Sequence, residues 1–123
     1  MAEIVTAGYE NIRTHIKSAS GYTHMRLLDA SNTTLLTREI DVGTETTWEA
    51  DEEGGQRLVA KMIVRGSHGD VSGSLPITIA KSVLLDGLAG NEMTAKEELT
   101  YPATISVSGD IVTIYHKIDV PEV

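Results

Sequence analysis

From Asp110 to Val120 the chain reads DIVTIYHKIDV, and its side chains alternate in two registers. Ile111, Thr113 and Tyr115 would face one way, and Val112, Ile114, His116 and Ile118 the other. A period of two in β-branched residues is the mark of a strand, because successive side chains leave a pleated backbone on opposite sides. Two more runs of this kind precede it, Ile77–Leu85 and Met93–Leu99. Asp86-Gly87 and Gly90-Asn91 separate the first two, while Thr100-Tyr101-Pro102 and then Ser108-Gly109-Asp110 separate the last two. Gly and Asn tolerate positive φ and Pro lacks a backbone donor, so these breaks read as turns. The stretch from Ile77 to Val120 is therefore expected to form a three-stranded C-terminal meander around which the remaining chain is organised.

Upstream, residues 5–18 carry Tyr9, Ile12 and Ile16 at helical spacing, so one helix is expected there. Thr6 is the candidate N-cap, Glu10 and Lys17 complement the helix dipole, and Gly21 is the expected left-handed residue that stops it. A helix this short is marginal alone, so its apolar face must dock on the sheet. Tyr22–Asp29 reads as the first strand, and Leu35–Val42 as either a short strand or a loop with an edge segment. Glu45–Ala50 alternates charge with Thr and Trp, as an edge strand does. Gly54-Gly55 marks a hairpin into Gln56–Arg65, the strongest central strand, with Leu58, Ala60, Met62 and Val64 facing the core. Val71–Leu75 is expected as a further strand, ended by Pro76. The pattern predicts a mainly β protein, an antiparallel β-sandwich of about seven strands with one N-terminal α-helix, in a single domain over residues 1–123.

The 123 residues suffice to bury one core without staples. Phe is absent and Trp48 is the only tryptophan, so that core must be aliphatic. No cysteine is present, which removes disulfides, thiolate metal sites and thiol catalysis. Eighteen acidic against ten basic residues give a formal charge of −8, and the cations are scattered singly. Nucleic-acid binding needs a basic stripe to neutralise phosphates, so none is expected. The acidity fits solubility and suppressed self-association, and is also the balance found in proteins from high-salt sources. No apolar run approaches ~20 residues and Met1–Glu10 lacks a signal-peptide pattern, so neither membrane insertion nor export is expected.

Sites for chemistry are sparse. His15, His24, His68 and His116 are the only imidazoles, and no two have ligand spacing on a helix. His68 with Asp70 in GSHGD is the one pairing that suggests a site, and it reads more simply as a solvated turn. His116 alternates with apolar neighbours and is expected as a partly buried strand residue. Asp51, Glu52 and Glu53, and the pair Glu97 and Glu98, lack the alternating oxygen ligands of a calcium loop and read as exposed faces. No Gly-x-Ser-x-Gly elbow occurs, and GSHGDVSG matches neither phosphate-binding fingerprint. Asn32-Thr33-Thr34 is a formal glycosylation sequon of a kind that arises by chance in Thr-rich chains. Hence no catalytic, cofactor-binding or metal-binding residue is assigned, no cofactor is expected, and ligand or partner contacts are left open.

Two blocks carry a resemblance. Residues 4–29, with Gly8-Tyr9 opening a short helix and Tyr22-Thr23-His24-Met25 a strand, resemble the start of small virion proteins of tailed phages and tailed archaeal viruses. Residues 77–120 are similar to their ending at Leu84-Leu85-Asp86, Thr100-Tyr101-Pro102, Ser108-Gly109-Asp110 and Ile111–Ile118. The chain departs from them where Asp29-Ala30-Ser31-Asn32-Thr33-Thr34 replaces a Gly-rich turn, and where Leu84-Leu85 replaces an aromatic. The resemblance implies a non-enzymatic structural protein of a virion, assembled in the host cytoplasm, in many copies, on a tail fibre or tip or as a head decoration or turret. Its implied partners are other virion proteins and itself, with a trimer the common arrangement for fibres and turrets. The alternative on the same architecture is a carbohydrate-binding or adhesion module, which would need a platform of exposed aromatics.

Overall fold

The computed structural model describes residues 6–51 and 57–119. One helix, α1 (Thr6–Ile16), precedes seven strands: β1 (His24–Leu28), β2 (Thr34–Glu39), β3 (Thr46–Glu49), β4 (Leu58–Arg65), β5 (Ile77–Leu85), β6 (Glu97–Ile105) and β7 (Ile111–Ile118). A four-stranded sheet in the order β2-β1-β5-β6 faces a three-stranded sheet in the order β3-β4-β7, and every pairing is antiparallel. The fold is the expected mainly β sandwich with one N-terminal helix. The Gly54-Gly55 hairpin and the Thr6 side-chain cap lie outside the described residues and side chains.

The inner faces obey the period of two. Ala60, Met62 and Val64 of β4 meet Met25 and Leu27 of β1, Ile79 and Leu84 of β5, and Ile114 of β7 in one aliphatic core. Burying such side chains stabilises by roughly 2 kcal/mol each. On β7 the expected registers hold, with Ile114 and His116 buried and Ile111, Thr113 and Tyr115 exposed. β5 is buried on both faces: Leu28, Val83 and Leu85 form a second cluster on the outer side of its sheet. Arg26 lies across that side, bonded to Thr37 Oγ1 and to the Leu88 carbonyl. Helix α1 docks through Ile16 and Tyr9 onto Leu58, Tyr22, Trp48 and Ile118, while Ile12, on the same helical face, stays 38% exposed.

The structure corrects four expectations. The C-terminal stretch is not a meander: β5 and β6 pair, but β7 crosses to the other sheet and pairs with β4. There all eight β7 residues find partners, from Ile111↔Arg65 to Ile118↔Leu58, a match that the register-shifted β6 cannot offer. The crossing is set by the β6–β7 turn, where the Asp110 carboxylate accepts the Ser106 and Val107 N–H groups. Second, β6 begins at Glu97 rather than Met93 and runs through Tyr101-Pro102, expected as a break. Residues 93–94 instead fold back on β5, with Met93 N–H donating to the Leu84 carbonyl. Pro102 is accommodated because β6 is an edge strand, and the β5–β6 register shifts between Ile79 and Lys81 opposite it.

Third, residues 71–75 are not a strand but a turn containing one 3-10 segment, Ser72–Ser74, with Val71 plugging the core and a cis Leu75–Pro76 bond leading into β5. Fourth, Gly21 is not left-handed. A Cβ there would lie 2.2 Å from the His15 carbonyl oxygen and 2.5 Å from that of Ile16, so glycine is required by close approach to the end of α1. Among the described non-glycine residues, Asn32 and Asp41 are left-handed, both at φ 66°. The ambiguous segment Leu35–Val42 resolves as β2, with its strand ending at Glu39.

Candidate functional site

Two histidine-centred networks hold most of the buried or half-buried polar chemistry. The first joins the ends of β2 and β4 to the loops after them. Arg38 on β2 clamps Asp70 through two bonds of 3.0 and 2.9 Å, donates to the Ile63 carbonyl at 2.8 Å, and reaches His68 Nδ1 at 2.8 Å. His68 Nδ1 also accepts the Arg65 N–H, so the ring proton sits on Nε2, 2.7 Å from Glu45 Oε2. Arg65 donates to the other Glu45 oxygen at 2.7 Å. The Arg65 bond holds the Glu45 carboxyl below its usual range, and the Arg38 bonds do the same for Asp70, each against a smaller opposing effect of burial.

Arg38, Glu45, His68 and Asp70 line an open cleft of about 530 Å³ between the β2–β3 loop and residues 68–70. Its cations are already engaged: Arg38 spends its guanidinium on Asp70, Ile63 and His68. The network is therefore a brace that ties two loops to the sandwich. Arg38→Met is expected to lower the unfolding free energy by about 2 kcal/mol in urea titrations, since it takes the side-chain donor from the half-buried Ile63 carbonyl and breaks the clamp on Asp70 and His68. Asp70→Ala, with a side chain 42% exposed, is expected to cost under about 1 kcal/mol.

The second network lies between the sheets. His116 on β7 is 2% exposed. Its Nδ1 is 2.7 Å from Ser82 Oγ on β5 and 3.4 Å from Glu97 Oε2 at the start of β6. Its Nε2 is 3.0 Å from Thr94 Oγ1, which also accepts the Leu84 N–H. Burial pushes the His116 pKa down, partly offset by the Glu97 charge, so the ring is held neutral. Glu97 beside Nδ1 favours the proton there, leaving Nε2 to accept from Thr94. Hydroxyl, imidazole and carboxylate follow in the order of a nucleophilic triad, at the wall of a cleft of about 380 Å³. The Thr94 oxygen, however, is held between the Leu84 N–H and the ring, and Ser82 is fully buried. What the arrangement does in this fold is bridge β5, the β5–β6 loop and β7 across the sandwich.

His68 and Asp70, paired in sequence, do come together, but through Arg38 rather than with each other. Arg38 and Glu45, more than twenty residues away, carried no signal in the sequence. Glu97 is not a free exposed face: it binds His116 and accepts the Lys117 N–H at 3.0 Å. Asp51 is likewise buried, with a side chain 1% exposed and paired to Arg57, and Glu52 and Glu53 lie outside the described residues. Glu98 remains exposed, 3.9 Å from Lys81. His15 is exposed, and His24 contacts Thr23. Asn32 is exposed, and its side-chain oxygen accepts from Lys81. Among the described residues no three His, Asp or Glu side chains converge as a metal site, and no helix is long and apolar enough to cross a membrane. No protein family, curated protein or solved structure matches this chain.

Proposed function

We propose that the protein is a non-enzymatic structural subunit that acts by association with copies of itself and with neighbouring proteins, in a virus particle of the tailed-phage or tailed-archaeal-virus kind. The virion assignment rests on the two sequence blocks. The association itself is carried by one observation: exposed large apolar side chains gather on the chain between β5 and the end of β7. Met93 (40%), Tyr101 (84%), Val107 (60%), Ile111 (57%) and Tyr115 (39%) are all there, on or beside the two edge strands β6 and β7. Scattered exposed apolar residues are ordinary, whereas Ile111 and Tyr115 share the outer face of the edge strand β7, where a neighbouring protein can cover both.

The carbohydrate-binding alternative gains nothing from Trp48, which packs against both the main core and the helix cluster rather than presenting a stacking face. Tyr9 and Tyr22 are also taken up in packing.

Light scattering at low and at molar salt tests the association. A defined oligomer is expected, strengthened as salt screens the repulsion between chains of charge −8. A monomer at every salt and protein concentration would refute self-association.

A further inference from the structure

We propose that β7 is the self-association edge, and that it pairs antiparallel with β7 of a second copy about a two-fold axis at Thr113, turning two three-stranded sheets into one of six strands. The inference rests on the associating-subunit reading and specifies its contact.

The sandwich has four sheet edges, β2, β6, β3 and β7. An unpaired strand edge is a template for another chain, and proteins blunt the edges they do not use with charge, proline, bulges or short length. Three of the four are blunted here. β2 ends in Arg38 and Glu39, and its register against β1 is broken at Leu27/Leu28. β3 is four residues long and ends in Glu49. β6 carries Glu97, Glu98 and Pro102, and its register shift against β5 leaves Tyr101 84% exposed. β7 has none of these devices over residues 111–116. It pairs with β4 without interruption, and its one titratable group there besides Tyr115, His116, is turned into the core and held neutral.

The direction of its backbone groups is also given. The Lys117 N–H donates to Glu97 Oε2 rather than to β4, so it points to the free edge. Backbone groups alternate along a strand, so the N–H groups of Tyr115, Thr113 and Ile111 point the same way. Glu97 closes the Lys117 position, which leaves residues 111–115 open, with Thr113 at their centre. A two-fold pairing there sets Thr113 opposite Thr113 and Ile111 opposite Tyr115 twice, for about six backbone hydrogen bonds.

No ionised side chains oppose each other in this register. That matters for a chain of charge −8, whose copies repel everywhere else. The pairing also places apolar Ile111 and Tyr115 of one copy against their counterparts on the outer face, covering residues that the monomer leaves 57% and 39% exposed.

The chain has no cysteine, so single-cysteine variants give a clean test. Opposed residues of a hydrogen-bonded antiparallel pair have Cα atoms about 5.5 Å apart, within disulfide reach. Thr113→Cys is therefore expected to give a disulfide-linked dimer under mild oxidation, read on a non-reducing gel. Ile111→Cys alone should not, because two copies of residue 111 would lie about 14 Å apart, but mixing it with Tyr115→Cys should. Thr34→Cys, exposed on the opposite edge of the sandwich, is the negative control. Far-ultraviolet circular dichroism of each reduced variant verifies folding, and none of these four side chains belongs to a hydrophobic cluster of the core. An oligomer by light scattering with no Thr113 cross-link would overturn the β7 contact and leave the associating-subunit reading standing. A monomer without cross-links would overturn the β7 contact and self-association together.

Discussion

Lowering the pH from about 7.5 to about 5 is expected to weaken the fold, and His116→Gln to remove most of that dependence. His116 is buried and neutral in the folded protein, with its pKa pushed below the 6.5 of a free histidine, which it regains on unfolding. A depressed folded pKa means that the unfolded chain binds the proton first as pH falls. The stability due to the neutral ring is therefore complete above about pH 6.5 and is lost as pH drops towards the folded value. The steepest slope for one proton is about 1.4 kcal/mol per pH unit. A second loss is expected below about pH 4, where Asp70 and Asp110 must give up carboxylates stabilised by Arg38 and by the Ser106 and Val107 N–H groups. The two windows separate the interior bridge from the surface turns. Urea titrations followed by circular dichroism from about pH 2.5 to about pH 8 measure both. His116→Gln itself should cost about 2 kcal/mol at neutral pH, because Ser82 and Thr94 lose a matched partner. An unchanged slope between pH 5 and 6.5 in that variant would show that another group carries the acid sensitivity.

Gly66→Ala is the second large effect. A Cβ on Gly66 would stand 2.1 Å from the Val107 carbonyl oxygen and 2.9 Å from Ser108 Cα. Both are backbone, so no side chain can swing aside. The β6–β7 turn would have to move away from the end of β4, against the Gly66 N–H bond to the Asp110 carbonyl at 2.9 Å. Overpacking of this kind costs about 3 kcal/mol. Gly109→Ala, in the turn that Gly66 touches, meets nothing within 4 Å and is expected to shift stability by less than about 0.5 kcal/mol. Thermal or urea denaturation of the two variants side by side tests the contrast, and equal effects would refute the close-approach account. Because this turn carries β7 from one sheet to the other, the Gly66 variant also reports on the crossing itself.

The same pair of glycines shows where sequence reading stops. Gly66 and Gly109 both sit beside a serine in a turn, and nothing local ranks them. Only the approach of residue 107 to residue 66 does, and that distance belongs to the packed chain. The strands themselves were legible. β4, β5 and β7 lie within the runs read from alternation, since the period of two is a property of neighbouring residues and survives any choice of partner. The burial of Leu58, Ala60, Met62 and Val64 and the inward register of His116 followed for the same reason. Pro102 misled because a proline is a local stop signal, while its tolerance in β6 depends on that strand lying at an edge. Val71 misled because an apolar residue beside glycines fits a strand or a plug equally well.

The candidate sites were less legible than the fold. His68 and Asp70 were visible as neighbours, yet the residue that unites them, Arg38, is some thirty positions away. Ser82, Thr94, Glu97 and His116 come from three segments and meet only because β5 and β7 face each other across the core. Local order along the chain thus determined which residues become strands, which faces they bury, and that the core is aliphatic. Which strand pairs with which, which edges stay open, and which polar groups meet in the interior were decided by tertiary structure. Those outcomes depend on long-range register and on the desolvation of groups brought together from distant positions, and neither is encoded in any short window of residues.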